Sequence, residues 1–427
     1  MERQPLFRFI HCSDLHLDSP FEGIQSVEPW VADILRKATF EAFQRVVNTA
    51  IQKKCDFVII SGDIYDGADR NLYAKLRFRE LLKQLNEAQI KCYLVHGNHD
   101  PLSGWEPEIS LPQGIFRFPG DKVSLIPFIK NHRETAHIYG ISFQEKANIN
   151  NLAKLYQKSS NEVFSIGILH CNVGGMSNHD NYAPCSIEDL VNTGLDYWAL
   201  GHIHTPMVIR KHHPIILYPG NTQGRNINEK GPRGCYLVQV YENQDVEYDF
   251  YPTDVVRWFQ KGIDITNINH LDDLLALLIK QREDTRRKAD GHHAILRLTL
   301  KGMGELDQIL RQKIDPEKDL AIHLREGEND KNPFVWIESI LIQTQPPIDI
   351  EQRLLVDDFI GDFLRVIDKT KQVSNLQETL KSILSSRPEW SIIHQEMEAI
   401  LNNHNGLEFL KEAELFGLEE LLRNEKY

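Results

Sequence analysis

Five times in its first 204 residues the chain runs through a short apolar stretch and ends in Asp, Asn or His. The clusters are Asp14-Leu15-His16, Gly62-Asp63-Ile64-Tyr65-Asp66, Gly97-Asn98-His99-Asp100, His170 after the run 164–169, and Gly201-His202-Ile203-His204. Apolar runs without alternation read as strands buried on both faces, here at 7–11, 57–60, 93–95, 138–141, 164–169 and 198–200. Between them, 30–52, 71–87 and 186–192 carry helical patterns. Strands and helices in alternation predict α/β layers. In such layers ligands gather beyond the carboxyl ends of the strands, which is where the clusters fall.

Singly the clusters say little, since a histidine after a strand is more often a hydrogen-bonded structural residue than a ligand. Together they bring two Asp, one Asn and four His to strand ends. That mixture of hard oxygen and borderline nitrogen donors suits Mn, Fe or Zn better than Mg or Ca. Seven donors exceed one tetrahedral ion and fit two ions sharing a carboxylate.

Beyond residue 204 the pattern becomes strand-rich, at 207–210, 215–218, 235–240 and 246–251, and suggests a second sheet packed on the first. A boundary is expected near residue 254. Strands at 262–266, 294–300 and 334–341 with a helix at 271–288 then predict a small α/β domain over 255–346. Pro346-Pro347 breaks the chain, and 347–427 is almost wholly helical in pattern. Its apolar residues Trp390, Ile393, Met397, Ile400, Leu410 and Phe416 serve either internal packing or the docking of a partner.

No apolar run approaches the roughly 20 residues of a membrane helix, and no charged-then-apolar leader opens the sequence. Six cysteines lack any Cys-x-x-Cys spacing and read as free thiols. A cytoplasmic protein with no membrane partner is expected. The net charge of −13 runs against a polyanionic ligand. More than half of it lies in 349–427, where 16 acids face 9 bases.

In order and spacing the five clusters resemble the calcineurin-like metallophosphoesterases, across about the first 205 residues. The resemblance implies that Asp14, His16 and His204 hold one metal and that Asn98, His170 and His202 hold the other, with Asp63 bridging. It makes His99 a catalytic histidine outside the metal shell and Asp66 the residue that orients it. Wider stretches, His170-Cys171-Asn172-Val173-Gly174-Gly175, Asp196-Tyr197-Trp198-Ala199-Leu200-Gly201 and Tyr218-Pro219-Gly220-Asn221-Thr222-Gln223-Gly224-Arg225, look like the YhaO branch of the SbcD-type DNA-repair exonucleases. That narrower resemblance implies a two-sheet sandwich flanked by helices over 1–254, a DNA-contacting cap over 255–346 and a helical region over 347–427. It also implies two divalent ions, Mn2+ by preference, and a coiled-coil ATPase partner of the SbcC or YhaN type. Pairing of two copies through the nuclease domain would follow, and Arg225 would touch DNA. One departure is Asp66, where some relatives carry histidine.

Two other classes share these motifs. A phosphatase or cyclic-nucleotide phosphodiesterase would use the same metals. Protein phosphatases of the superfamily, however, read Gly-Asp-x-x-Asp-Arg-Gly where this chain has Gly62-Asp63-Ile64-Tyr65-Asp66-Gly67-Ala68. A non-catalytic scaffold should have lost a ligand or the catalytic histidine, and none is lost. The basic stretch Lys280, Arg282, Arg286, Arg287 and Lys288, interleaved with Glu283 and Asp284, reads first as a solvated helix face and second as a DNA contact.

Overall fold

The computed structural model describes residues 3–21, 28–66, 72–103, 110–175, 181–346, 350–387, 390, 394 and 406–425. Asn71, Gly67, Ala68, Pro347, Ile393, Met397 and Ile400, all used above, lie outside them. The fold is α/β: two six-stranded sheets with helices outside them, a third sheet of three strands, and a helical C-terminal region.

The first sheet takes β1 (Phe7–Cys12), β2 (Phe57–Ser61), β3 (Lys91–Val95) and β4 (Ile115–Arg117) in parallel. Two antiparallel strands, β11 (Gly234–Val240) and β12 (Val246–Pro252), extend it beyond β1. The second sheet runs β5-β6-β7-β8-β10-β9. Its parallel members are β6 (Arg133–Gly140), β7 (Phe164–His170), β8 (Tyr197–Gly201) and β10 (Ile215–Tyr218). β5 (Ser124–Lys130) and β9 (Met207–Arg210) close its edges antiparallel.

Side-chain alternation explains why the strands are apolar throughout. Phe7, Phe9, Phe57, Ile59 and Tyr93 of the first sheet meet Ile138, Phe164, Ile166, Tyr197 and Leu217 of the second in one buried layer. Phe9 and Phe57 stack there with centroids 4.9 Å apart. Full burial of each such ring contributes roughly 1.5–3 kcal/mol. Their neighbours Ile10, Cys12, Val58, Ile60 and Leu94 face the other way, against helices α1 (Pro29–Gln52) and α2 (Leu72–Glu87). On α1 the residues Val31, Leu35, Ala38, Ala42, Val46 and Ala50 recur every three or four positions as the buried stripe. Pro29 opens the helix where no N–H is required. The outer face of the second sheet packs Leu169, Trp198, Leu200 and Ile216 under α3 (Ile187–Asn192), whose N-terminus is closed by a Ser186–Asp189 capping box.

One expectation needs correcting. The strands after residue 204 do not build the second sheet alone: β9 and β10 complete a sheet begun at β5, while β11 and β12 return to the first. β5 is missed in the sequence because it is a half-exposed edge strand carrying Pro127, with no continuous apolar run.

Two compact units emerge: residues 1–260 with 284–296 and 327–338, and residues 261–283 with 297–326 and 339–427. The third sheet, in order β13 (Val256–Asp264), β14 (His293–Met303), β15 (Val335–Gln345), has residues of each strand in both units. In the first unit, Val255, Trp258, Ile295, Phe334 and Trp336 pack with Val31 and Leu35 of α1. In the second lie α5 (Glu305–Arg311), α6 (Pro316–Arg325), α7 (Ile350–Leu354), α8 (Phe359–Lys371), α9 (Leu376–Ser385) and α10 (Leu407–Glu425). Ile360 and Leu364 of α8 meet Leu418 of α10 in a small core, and Leu380 meets Leu410 in another. Helix α4 (Leu271–Lys288) carries the basic stretch. There Arg282 donates to the Leu324 carbonyl at 2.7 Å and Arg286 to Glu328 at 2.7 Å, so two of its five cations hold the fold. Among the described residues, no helix is long and apolar enough to cross a membrane.

Candidate metal centre

The carboxyl ends of β1, β2, β3, β7 and β8 converge, and the two sheets can approach there because glycines stand between the ligands. A side chain at Gly201 would lie 1.9 Å from the Ser61 carbonyl oxygen, and one at Gly97 would lie 2.3 Å from an Asp63 carboxylate oxygen. Hydrogen bonds from Asp14 N to Gly62 O (3.0 Å), His16 N to Asp63 O (3.1 Å) and Leu17 N to Ile64 O (2.8 Å) carry the β1–β2 pairing into the loops. The backbone is strained where it turns. Asp14, His16, Asp63 and His202 have φ of 51°, 42°, 50° and 99°, a region that side chains other than glycine rarely enter. Asp100 pins two loops by accepting from Gly97 N (2.8 Å), Ile64 N (3.1 Å) and His96 Nδ1 (3.0 Å).

Tautomers fix what the converging atoms are. His170 Nδ1 lies 2.9 Å from the Ser61 carbonyl oxygen, which can only accept, so Nδ1 carries the proton. In the neutral ring that leaves the Nε2 lone pair 3.0 Å from Asn98 Oδ1 and 3.2 Å from Asp63 Oδ2. His204 Nδ1 donates to Glu229 Oε1 at 2.6 Å, which turns its Nε2 lone pair to His16 Nε2 at 3.2 Å and Asp14 Oδ1 at 3.9 Å. With these rings neutral, acceptors face acceptors in two adjoining places. Asp14, His16 and His204 form one such group, and Asp14, Asp63 and His170 another. Divalent cations are what this donor set fits.

Charge and burial agree. Burial raises the pKa of Asp14 and holds the His16 imidazole well below its usual range. For Asp63 burial acts upward, and the attraction of His170 more than reverses it. His170, which burial would lower, is carried up to about 9, chiefly by Asp63. The carboxylate that draws a proton onto His170 would equally draw a metal ion.

All seven residues read as ligands from the sequence meet here. The His202 ring stands beside that of His170 at 5.2 Å, and its backbone N–H bonds the Asp14 carboxylate at 3.2 Å. Next to them His99 Nδ1 contacts Asp66 Oδ1 at 2.7 Å, and its backbone N–H donates to Asp63 Oδ1 at 2.9 Å. The bond to Asp66 raises the His99 pKa.

Arg225 is placed differently from its reading as a DNA contact. It is 7% exposed, and NH1 donates to Asp66 Oδ2 at 2.7 Å and to Ser19 Oγ at 2.6 Å. The guanidinium is thus turned onto Asp66 and Ser19 rather than toward solvent. Ser19 and Glu229 went unnoticed in the sequence, and Asn221 figured there only as part of the stretch 218–225. The Asn221 amide donates to Glu229 Oε2 at 2.9 Å, and Glu229 in turn orients His204.

Comparison with known proteins agrees with this geometry. Residues 7–206 match the calcineurin-like phosphoesterase family, and residues 258–345 match the middle domain of the metallophosphoesterase YhaO. The Bacillus subtilis (strain 168) metallophosphoesterase YhaO is 34% identical over 376 residues, covering 88% of this chain and 89% of that one. The DNA double-strand break repair protein Mre11 of Saccharolobus solfataricus is 24% identical, over 88% of this chain and 99% of its own length. Mre11 of Methanocaldococcus jannaschii is 23% identical, over 95% and 97%. The chain belongs to the YhaO family of calcineurin-like metallophosphoesterases, and the strand-end cluster is its centre for two divalent metal ions.

Proposed function

We propose that this metallophosphoesterase is a Mn2+-dependent DNA exonuclease acting in DNA repair. The observation that carries the reading is the Asp66–His99 pair, 2.7 Å apart and next to the ligand cluster. An alkoxide is a poor leaving group and needs a proton, whereas an aryl phosphate does not, so a positioned acid suits a phosphodiester of DNA. Similarity to Mre11 proteins along nearly their whole length supports the same substrate.

In this reading Asp14, His16 and His204 would hold one ion, Asn98, His170 and His202 the other, and Asp63 would serve both. Two divalent ions held there would supply an activated water and neutralise phosphoryl oxygens. His99, 36% exposed in its side chain and so open to substrate, donates its proton to the leaving oxygen, and Asp66 fixes the ring. Residues 255–346 act as the DNA-contacting cap. Exposed Leu355, Phe359, Val366 and Phe416 support docking of a coiled-coil ATPase of the SbcC or YhaN type. Exposed Leu72, Tyr73 and Leu76 on α2 support pairing of two copies. Six buried free cysteines suit the cytoplasm.

The test is degradation of end-labelled linear duplex DNA with Mn2+, alongside hydrolysis of a bis-aryl phosphodiester. Wild type should cleave both and Asp63→Asn neither. His99→Gln should keep two bound ions and lose about 10²–10⁴-fold on DNA. Cleavage of the small ester alone would move the function to a small-molecule phosphodiesterase. Loss of metal from His99→Gln would make that residue a ligand.

A further inference from the structure

Both carboxylate oxygens of Asp66 are engaged, by groups with different duties. Oδ1 holds His99. Oδ2 accepts from Ser19 Oγ at 2.7 Å and from Arg225 NH1 at 2.7 Å, and NH1 also donates to Ser19 Oγ at 2.6 Å. These three contacts form a closed triangle around one oxygen. We propose that Arg225, with Ser19, is a positioning residue for proton donation: it locks the Asp66 carboxylate so that the other oxygen stays on His99.

The argument is geometric. A carboxylate held at one oxygen rotates about its own bond, and the ring bonded to it swings with it. A second anchor at the far oxygen removes that rotation, and a proton donor misplaced by about 1 Å loses much of its effect. Arg225 is itself held firmly. Its backbone N–H donates to Glu229 Oε2 at 2.6 Å, the Trp258 indole N–H donates to the Gly224 carbonyl at 3.1 Å, and the Gln223 amide bonds Val256 O at 2.7 Å. Burying a guanidinium costs several kcal/mol unless its partners are fixed. Among the described residues Nε has no hydrogen-bond partner, so the burial is not optimised for stability alone. The same loop reaches the metal side through Glu229 and His204, joining the proton donor and the ligand shell on one rigid segment.

The inference rests on His99 as the proton donor, and leaving-group dependence separates the two claims. Full-length chain with Mn2+ is assayed on dithymidine monophosphate, which releases an alkoxide, and on thymidine 5′-(4-nitrophenyl phosphate), which releases a good leaving group. Arg225→Gln should lose about 10–10²-fold on the first and no more than about 3-fold on the second. Ser19→Ala, a milder change in case Arg225→Gln folds poorly, should show the same bias with a smaller loss. Arg225→Lys should recover part of the loss. Adding Arg225→Gln to Asp66→Asn should cost nothing further, because the two act through one bond. Mn2+ stoichiometry by calorimetry should remain two. Equal losses on both substrates, or additive losses in the double variant, would overturn the positioning role while leaving His99 in place. Absence of the bias in His99→Gln itself would instead remove the reading beneath it.

Discussion

Glu229 is 25 positions from His204 in the chain and 2.6 Å from it in space. Burial would raise its carboxyl, yet the His204 hydrogen bond and charge bring it down to about 2. It is thereby an acceptor at any working pH and keeps the His204 lone pair on Nε2. Carboxylates in this relation to a ligating imidazole commonly contribute 10–100-fold to metal affinity. Glu229→Gln should therefore weaken Mn2+ binding about 10–100-fold at one site, read by calorimetry on folded protein, and leave the other near wild type. Unchanged affinity at both sites would reduce Glu229 to a packing residue. The proposed ligands were legible in the sequence because chemistry confines such residues to short strand-end clusters such as Gly201-His202-Ile203-His204. Glu229 and Ser19 belong to no such cluster, and only folding reveals their partners. Arg225 was singled out by its glycine-rich loop, but a loop's sequence cannot say whether its cation faces solvent or a buried carboxylate.

At the scale of elements, most strands were legible, the partly exposed edge strands β9 and β12 among them, while β4 and β5 were not. β2 and β8 are nearly continuous apolar runs and β1 and β7 are mostly apolar, whereas in β5 the apolar residues are split by Pro127, and β6 opens on Arg133 and Glu134 before turning apolar. Which sheet a strand joins is a further long-range fact: nothing local in β11 says that it pairs with β1. The layer between the sheets holds one polar exception with a consequence. His11 of β1 is fully buried, with ring nitrogens 3.0 Å from Tyr197 OH in β8 and 2.9 Å from Ser61 Oγ in β2. Burial brings its pKa down to about 3 from an ordinary 6.5. The folded state thus keeps His11 neutral while the unfolded chain takes up a proton below pH 6.5. Its stabilising contribution is complete above pH 6.5 and is lost as pH falls toward 3. In metal-free buffer, the stability advantage of wild type over His11→Gln should shrink by about 2 kcal/mol between pH 7 and pH 5. Paired urea titrations at the two pH values check this. A constant difference would mean that His11 is not held neutral between the sheets.

For the molecule as a whole, the sign of the charge is the fact that any DNA reading must satisfy. The chain carries −13, and residues 349–427 hold −7 of it. The structure removes cations from the obvious candidates for phosphate contact: Arg225 is turned onto Asp66, Arg282 onto the Leu324 carbonyl and Arg286 onto Glu328. With these three engaged within the fold, a DNA reading draws more of its attraction for phosphate from the metal centre. Salt dependence measures this directly, since each neutralised phosphate contributes about −0.9 to the slope of log affinity against log salt. Binding of labelled linear duplex to the His99→Gln chain with saturating Mn2+ should show a slope no steeper than about −3. Removing Mn2+ with EDTA should abolish that binding. A slope near −6 or steeper, surviving EDTA, would instead show that a basic track carries the DNA and that the metal ions serve hydrolysis alone.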